Sequence, residues 1–420
     1  MTIFSISDVE PIESTEGASV TKAAPLANIK VIGSGTGGTN AINHMIDSGL
    51  SGVEFIAVNT DKPHLDEISK AETKLHIGSK HTGGLGVGGD PAKGEAAANE
   101  DREAITDSLR GANMVFVTTG MGGGTGTGSI PVIAKIARDM GALTVGVVTT
   151  PFEVEGEEKM AISEAGIKKL REEVDALIVI PNENMFKMLD RKTSIQQAFR
   201  YVNDVLYQGV KAIADLITKT GLINIDFADV ESAMRGQGDA HLGIGVGSGE
   251  NRAIDAANSA IDNPLLEDVN IVGATKLLVN ITGPEEFPMI EAREILNTIR
   301  SKVGDKARLK FGITFDPSLG ENVKVTVIAT GFSGKNAVSA RKEGIPGKKE
   351  NRDINTVIDH KRFDEMRYGQ RDNRHNDNYF GIVKPINYRD NLEVPTALRK
   401  YNPETDSIYA EKNALNEKEA

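Results

Sequence analysis

The chain has 420 residues, of which 39% are hydrophobic, and it carries a formal net charge of −12. That length allows two or three domains with sizeable cores, and the negative charge argues against binding nucleic acid or anionic lipid over a broad surface. The absence of cysteine excludes disulfides and cysteine-based metal or thiol chemistry, and the seven histidines show no HExxH-type spacing. The sequence has neither a basic leader with an apolar core nor a run of about 18 apolar residues, so we expect a cytoplasmic protein without direct membrane insertion.

Alternating strand and helix patterns follow a polar N-terminal segment. Residues 1–26 are rich in Ser, Thr, Glu and Ala without periodicity, and we expect a disordered extension there. Five apolar, β-branched segments then alternate with helical patterns, which predicts an α/β fold with a doubly wound parallel-sheet nucleotide domain over residues 27–194. The five segments are NIKVIG, GVEFIAVNT, NMVFVTT, ALTVGVVTT and ALIVIPN.

A long central helix is predicted over residues 195–220, because apolar residues recur there at intervals of three and four. We expect these residues to form one buried stripe. The stripe consists of Ile195, Phe199, Val202, Leu206, Val210, Ile213 and Ile217.

Further strand patterns follow the long helix and end near residue 332. With helical segments between some of them, they predict a second α/β domain with a mixed sheet over residues 221–332. Residues 333–391 have the composition of a flexible linker, and residues 392–420 form a polar tail with a small apolar island at 392–401. We expect both segments to be disordered.

The most glycine-rich segment, GMGGGTGTGS at residues 120–129, stands between a predicted strand and a predicted helix. Backbone without Cβ atoms lets N–H groups approach an oxyanion closely, and the N-terminus of the following helix favours negative charge. A strand, a glycine turn and a helix in that order predict a phosphate-binding unit. Two more glycine segments, GSGTGG at 33–38 and GGLGVGGDP at 83–91, are expected at the same sheet edge.

The glycine segments are compatible with two classes of ligand, a dinucleotide and a nucleoside triphosphate. The first glycine segment matches GxGxxG, and Asp61 at the end of the second strand would suit an NAD-dependent oxidoreductase. Three glycine loops around one sheet edge instead suit a nucleoside triphosphate. The P-loop lysine motif is absent, so backbone amides, helix ends and Mg²⁺ carried in with the nucleotide would neutralise the phosphate charge.

Asn224, Asp226 and Asp229 bring one amide and two carboxylates together within six residues, at a predicted loop-to-helix junction. They could cap that helix, or they could orient an attacking water for phosphoanhydride hydrolysis. Because the long helix separates them from the glycine loops, we expect them at the far end of the domain. They would then be only a cap, or would act on a neighbouring subunit.

The sequence resembles the FtsZ family of the tubulin superfamily from about residue 28 to residue 332. The resemblance rests on the motifs NTD, GMGGGTGTGS, TPFEVEG, NDVL, GLINIDFADV and VTVIATG, which occur in that order. It implies a tubulin-like fold, GTP and GDP as ligands with Mg²⁺ bound through the nucleotide, and GTP hydrolysis by head-to-tail filaments of a cell-division ring. It also implies that Asn224, Asp226 and Asp229 complete the hydrolytic site of the adjacent subunit.

The same resemblance implies which residues contact the nucleotide. Glu155 would hold the ribose, Phe199 would stack on guanine, and the amides of Asn182 and Asn203 would bind the edge of the base. The remaining implied nucleotide-binding residues are Gly35, Gly37, Gly38, Asn40, Asn59, Gly88, Gly89, Gly122, Gly123, Gly124, Thr125, Gly126, Thr127, Gly128 and Lys159.

Four positions depart from the family pattern. Thr36 and Thr39 stand where the family usually has glycine, Lys159 replaces an arginine, and Asp90 replaces an asparagine. An ammonium group cannot reproduce a planar bidentate contact, and a carboxylate near the γ-phosphate adds repulsion. A non-hydrolysing tubulin-like scaffold therefore stays open, as does a plasmid-segregation or cell-shape relative.

The resemblance also implies partners. We expect self-assembly into a homopolymer at the division site, without nucleic acid. The segment that begins at Leu392 and ends at Lys400 resembles a partner-binding tail peptide, which would contact a membrane tether or regulator.

Overall fold

The computed structural model of the chain describes residues 27–187, 189, 192–218, 221–262, 271, 273–304 and 306–332. The extension, linker and tail expected from the sequence, at residues 1–26, 333–391 and 392–420, lie outside the described residues. Within the described part of the chain, ten strands form one sheet.

The first six strands of this sheet are parallel, and all of them except the third consist of mostly buried, β-branched segments. They are β1 (Ile29–Ser34), β2 (Glu54–Asn59), β3 (Thr73–His76), β4 (Met114–Gly120), β5 (Leu143–Thr150) and β6 (Ala176–Pro181). Their order across the sheet is β3-β2-β1-β4-β5-β6. The sequence analysis does not predict β3, because its four residues, TKLH, are only partly buried and carry no apolar run.

Helices cover both faces of these parallel strands. One core lies between the sheet and the first and eighth helices, and a second lies on the opposite face under the fourth to seventh helices. This arrangement confirms the predicted doubly wound α/β fold. The first seven helices of the described part are α1 (Gly35–Asp47), α2 (Lys62–Ile68), α3 (Ser79–Thr82), α4 (Pro91–Glu100), α5 (Arg102–Leu109), α6 (Thr125–Asp139) and α7 (Glu157–Glu173).

The long helix α8 (Ile195–Thr218) runs back along the sheet from the carboxyl end of β6. Its apolar stripe is buried from Val202 onward, whereas Ile195 is 78% exposed and Phe199 is 44% exposed. The prediction of one buried stripe is therefore wrong for its first two members. Helix α1 and the sheet cover α8 only from its third turn, and periodicity alone cannot show where that cover begins.

The remaining described strands form a mixed extension of the sheet. Strand β7 is parallel to β6, β10 lies antiparallel between β7 and β8, and β9 is parallel to β8. Two helices pack on this part around a third core, and α9 precedes it. These elements are α9 (Phe227–Met234), β7 (Gly238–Gly247), α10 (Arg252–Ile261), β8 (Lys276–Gly283), α11 (Met289–Val303), β9 (Arg308–Phe315) and β10 (Val323–Thr330).

The predicted mixed sheet is thus present, although it continues the parallel strands instead of standing apart. Strands β6 and β7 join the two parts through only two residue pairs, Ala176 with Gly238 and Leu177 with Asp239. The division into separate domains at residues 194 and 220 stays a prediction.

Asp175 fastens the amino ends of the strands where the two parts meet. Its carboxylate is buried, and it accepts hydrogen bonds from Thr144 N at 2.9 Å and from Gly236 N at 3.2 Å. Its carbonyl oxygen accepts from Gln237 N at 2.9 Å and from Gly238 N at 3.0 Å. One residue therefore holds the starts of β5, β6 and β7 together.

We expect Asp175→Ala to lower the free energy of unfolding by about 1–3 kcal/mol, because the buried N–H of Thr144 and the partly buried N–H of Gly236 lose their acceptor. Urea unfolding followed by circular dichroism measures this loss. Asp47→Ala is the control: the Asp47 side chain is 54% exposed and pairs with Lys70 at 2.8 Å, so its loss should change stability by about 0–1 kcal/mol. Equal effects of the two substitutions would contradict the role of Asp175.

Candidate functional site

A cavity of about 310 Å³ lies at the carboxyl edge of the parallel strands. The ends of β1, β2 and β4, the starts of α1 and α6, and the segment between α3 and α4 form its wall. The three glycine-rich segments of the sequence therefore meet at one cavity. This is the edge where ligands bind in open α/β sheets.

Nine of the residues implied as nucleotide contacts line this cavity. They are Gly35, Gly37, Asn59, Gly88, Gly89, Gly123, Gly124, Thr125 and Gly126. Eight further lining residues were not in the implied set: Ser34, Thr36, Asp61, Leu85, Gly86, Val87, Thr119 and Gly120. All of them except Asp61 and Thr119 lie within the three glycine-rich segments, so membership of those segments was the available signal.

Two helix N-termini open onto the cavity without a side-chain cap. Helix α1 begins at Gly35 and α6 at Thr125, and neither Ser34 nor Gly124 before them makes a capping hydrogen bond through its side chain. Neither helix has an acidic residue in its first turn. The first N–H groups of both helices are therefore available to an anion, and both helix dipoles favour negative charge there.

Helix α6 begins inside the glycine-rich segment, whereas the sequence placed Gly122 to Gly128 in a loop before the helix. Close packing explains the difference. A Cβ atom at Gly126 would lie 2.1 Å from Thr119 Oγ1, and one at Gly128 would lie 2.0 Å from Pro91 O in α4. These helical glycines therefore allow neighbouring backbone to approach, and tertiary contact outweighs the low helix propensity of glycine.

Several implied phosphate contacts lie beside the cavity and do not line it. Gly38 packs on β4, where a Cβ atom would lie 2.8 Å from Thr118 O. Thr127 is buried, and its hydroxyl accepts a hydrogen bond from Gly122 N at 2.9 Å within the loop. Asn40 is exposed on α1. Gly128 packs against the backbone of α4 at Pro91.

The segment that carries Gly88 and Gly89 is fastened near its base by Glu100 of α4. Its carboxylate lies 2.5 Å from His81 Nδ1 and accepts a hydrogen bond from Lys80 N at 3.1 Å. The hydrogen bond with His81, followed by that with the Lys80 backbone, holds the pKa of Glu100 below its usual value. Glu100 therefore stays ionised and joins α3 to α4.

Aromatic side chains gather beyond the ends of β5 and β6, at the same sheet edge. Phe152 packs edge-on against Phe199 at 5.6 Å and against Phe186 at 5.2 Å between ring centroids. Glu155 accepts hydrogen bonds from Phe152 N at 3.0 Å and from Lys159 Nζ at 3.1 Å. Glu155, Lys159 and Phe199 are thus brought into one group, outside the lining of the cavity.

The two implied guanine-binding asparagines belong to the same region. Asn182 directly follows β6 and is buried, and its Oδ1 has no hydrogen-bond partner among the described residues. Asn203 is half-buried on α8, four residues after Phe199, so helical spacing puts both on one face. Neither asparagine lines the cavity.

The departures at Thr39 and Asp90 have local structural roles. Thr39 is buried in the second turn of α1, and its hydroxyl donates to Gly35 O at 3.0 Å. Asp90 caps α4 by accepting from Ala92 N at 2.9 Å, and it does not line the cavity. Thr36 does line it and is exposed.

The loop that carries Asn224, Asp226 and Asp229, which we call the carboxylate loop, makes local contacts and does not line the cavity. Asp226 is the N-cap of α9 and accepts from Asp229 N at 2.7 Å. Asp229 pairs with Lys310 on β9 at 2.9 Å, and Asn224 Oδ1 accepts from Gly221 N at 2.6 Å. Asp226 therefore does cap α9, as one of the two interpretations of the sequence predicts.

This loop lies toward the opposite edge of the sheet. Helix α8 has 24 residues and spans roughly 36 Å between the two regions. The end of α9 reaches the amino edge, where Arg235 Nη2 donates to Gly141 O at 3.2 Å just before β5. One molecule therefore carries the glycine cavity at one edge and the carboxylates toward the other.

Comparison with known proteins agrees with this geometry. The sequence matches the model of the Tubulin/FtsZ family GTPase domain over residues 28–190, and that of the FtsZ family C-terminal domain over residues 238–333. An empty FtsZ dimer of M. jannaschii is 44% identical, with a TM-score of 0.69, over 73% of this chain and 88% of that chain. The chain belongs to the FtsZ family.

Two CetZ structures from Haloferax volcanii share the fold of this FtsZ-family chain. A GTPγS-bound CetZ2 protofilament is 21% identical, with a TM-score of 0.61, over 72% of this chain and 92% of that chain. A GDP-bound CetZ1 monomer is 21% identical, with a TM-score of 0.64, over 73% of this chain and 94% of that chain. The tubulin-like fold expected from the sequence is thereby confirmed.

Two features are absent from the described residues of this FtsZ-family chain. None of their helices combines the length and apolar character needed to cross a membrane. The same residues hold no group of three or more His, Asp or Glu side chains arranged to bind a metal ion.

Two glycines in the same segment should respond differently to alanine. We expect Gly128→Ala to lower the free energy of unfolding by about 1–3 kcal/mol, because its Cβ atom would meet the backbone of Pro91 in α4. Gly123→Ala is the matched control, since no atom lies within 4 Å of a Cβ atom there, and it should change stability by less than about 0.5 kcal/mol. Urea unfolding compares the two, and a stable Gly128→Ala variant would contradict the close packing.

Proposed function

We propose that this FtsZ-family chain is a GTP-binding, GTP-hydrolysing subunit that assembles head-to-tail filaments. The observation that carries the proposal is the cavity where three glycine segments and the uncapped N-termini of α1 and α6 meet. Membership of a family with a GTPase domain supports guanine nucleotide as the ligand.

The phosphates of the nucleotide would lie among the first-turn amides of α1 and α6. Gly123 and Gly124 leave the backbone bare there, and the helix dipoles contribute to anion binding. Mg²⁺ carried in with the nucleotide would neutralise phosphate charge that no lysine neutralises in this motif.

The base would lie beside the aromatic group at the ends of β5 and β6. The half-exposed ring of Phe199 offers a stacking surface. Asn182 Oδ1, which has no hydrogen-bond partner among the described residues, offers an acceptor for guanine N–H groups. Glu155, which Lys159 already orients, would hold the ribose.

We propose that Asp226 and Asp229 act on the nucleotide of the adjacent subunit, with Asn224 beside them. Stacking one molecule on the next brings the carboxylate loop of one subunit to the glycine cavity of its neighbour, a heterologous contact that generates open filaments. The carboxylates would orient the attacking water, which is the main task the protein has in phosphoanhydride hydrolysis. Self-association is supported by the dimer of the M. jannaschii FtsZ.

We further propose a cytoplasmic role in the cell-division ring. The 44% identity with FtsZ, against 21% with the CetZ structures, favours division over a cell-shape role. In this proposal residues 27–194 bind GTP, 195–220 form the central helix and 221–332 activate hydrolysis. Residues 333–391 link this unit to the tail at 392–420, which would contact a membrane tether or regulator.

The shared site is tested with Asp226→Asn and Asp229→Asn. Asparagine at 226 keeps an oxygen that can cap α9, so loss of activity there is separated from loss of the cap. We expect the GTPase rate per subunit to rise above a threshold protein concentration, and to fall about 10²- to 10⁴-fold in both variants with unchanged GTP affinity.

Asp107→Asn is the control for charge, because Asp107 is an exposed carboxylate that pairs with Arg110. It should keep wild-type turnover. A rate per subunit that does not depend on concentration, or full activity in both carboxylate variants, would leave Asp226 as a cap only and contradict the shared site.

The base contact is tested with Phe199→Ala, compared with Ile195→Ala on the same exposed end of α8. Loss of a stacking ring costs about 1–3 kcal/mol, so we expect GTP affinity to fall about 5- to 150-fold for Phe199→Ala and to stay unchanged for Ile195→Ala. Equilibrium dialysis with radiolabelled GTP measures both. Equal affinities would contradict the stacking role, and preferential binding of NAD by the wild type would overturn the guanine assignment.

A further inference from the structure

Five hydroxyl side chains lie in and beneath the wall of the cavity, and all of them are buried: Ser34, Thr60, Thr119, Thr125 and Ser129. Thr60 Oγ1 lies 2.7 Å from Thr125 Oγ1, and Ser34 Oγ lies 2.5 Å from Ser129 Oγ. Ser129 Oγ donates to Thr125 O at 2.7 Å, and Thr119 Oγ1 donates to Ser34 O at 2.8 Å. We call these five residues the hydroxyl network.

The hydroxyl network ties three strand ends to one helix. Ser34 ends β1, Thr60 follows β2, and Thr119 lies at the end of β4, whereas Thr125 and Ser129 belong to the first turns of α6. Of these three strands, only β4 leads directly into α6 along the chain. The contact between Thr60 and Thr125 adds a side-chain link from α6 to the end of β2, and the contact between Ser34 and Ser129 adds one to the end of β1.

The donor in the hydrogen bond between Ser34 and Ser129 follows from the other hydrogen bond that Ser129 makes. A serine hydroxyl has one hydrogen, and Ser129 uses its hydrogen for Thr125 O. In the contact between the two serines, Ser34 is therefore the donor. Its lone hydrogen is then committed to Ser129, which fixes the Ser34 side chain beside the start of α1.

We propose that Thr60 and Ser129 are positioning residues for the phosphate-binding amides. Neither lines the cavity, but Thr60 holds Thr125 and Ser129 holds Ser34, and both held residues do line it. The inference rests on the proposed binding of GTP. It adds that donors fixed before the ligand arrives bind more tightly than donors that must first be ordered.

The test uses Thr60→Val, which keeps the shape of the side chain and removes its hydroxyl, and Thr60→Ser, which restores the hydroxyl. We expect Thr60→Val to weaken GTP binding about 10-fold, equivalent to about 1.4 kcal/mol, and Thr60→Ser to stay within about twofold of the wild type. Equilibrium dialysis with the full chain gives the affinities, and urea unfolding gives the stability of each variant.

Thr118→Val is the matched control. Thr118 is buried on β4, and its Oγ1 has no hydrogen-bond partner among the described residues, so the substitution should leave GTP affinity unchanged. Ser129→Ala is the second test variant if Thr60→Val does not fold, and it should weaken GTP binding to a similar extent.

The outcomes separate this inference from the proposed function. Wild-type protein that binds GTP, with Thr60→Val and Ser129→Ala binding it equally well, would overturn the positioning role alone, even if both variants were less stable. Failure of Thr60→Ser to restore affinity would also overturn it. Wild-type protein that binds no guanine nucleotide would overturn the proposed function, and this inference with it.

Discussion

The fold depends on how closely the first turns of α6 approach their neighbours. At Gly126 and Gly128 no Cβ atom fits, because the end of β4 and the backbone of α4 occupy the space. Gly94 on α4 completes the contact, since a Cβ atom there would lie 2.5 Å from Gly124 O. This packing holds an uncapped helix N-terminus at the carboxyl edge of the sheet, and the cavity exists because the edge and the helix meet there.

The glycine cavity and the carboxylate loop are separated by the length of α8, and their local chemistry differs. Apart from Asp61, which caps α2 by accepting a hydrogen bond from His64 N, the polar groups of the cavity are amides and hydroxyls, with bare backbone where a ligand would approach. The carboxylate loop presents negative charge. The Asp226 carboxylate caps α9, and the Asp229 carboxylate pairs with Lys310. In the proposed function, anion binding and water orientation would therefore fall to different regions of one subunit and come together only where two subunits meet.

The sequence predicted the fold well where burial dictates residue type. Strands β1, β2, β4, β5 and β6 are mostly buried and consist of continuous β-branched runs, so all five were predicted, and the exposed β3 beside them was not. Glycine in the first turn of α6 was misread as loop, because its helix propensity is low and the contacts that require it are distant in sequence. The glycine segments pointed to the cavity, but Ser34 and Thr119 were missed because their place in its wall depends on where β1 and β4 end.

The seam between β6 and β7 has a mechanical consequence. The other neighbouring strands of the described sheet pair over four to eight residues, whereas this seam has two residue pairs. A short ladder resists twisting less than a long one, because fewer hydrogen bonds must deform together. Force applied to the two edges of the described sheet would therefore bend it first where Gly238 and Asp239 pair with β6.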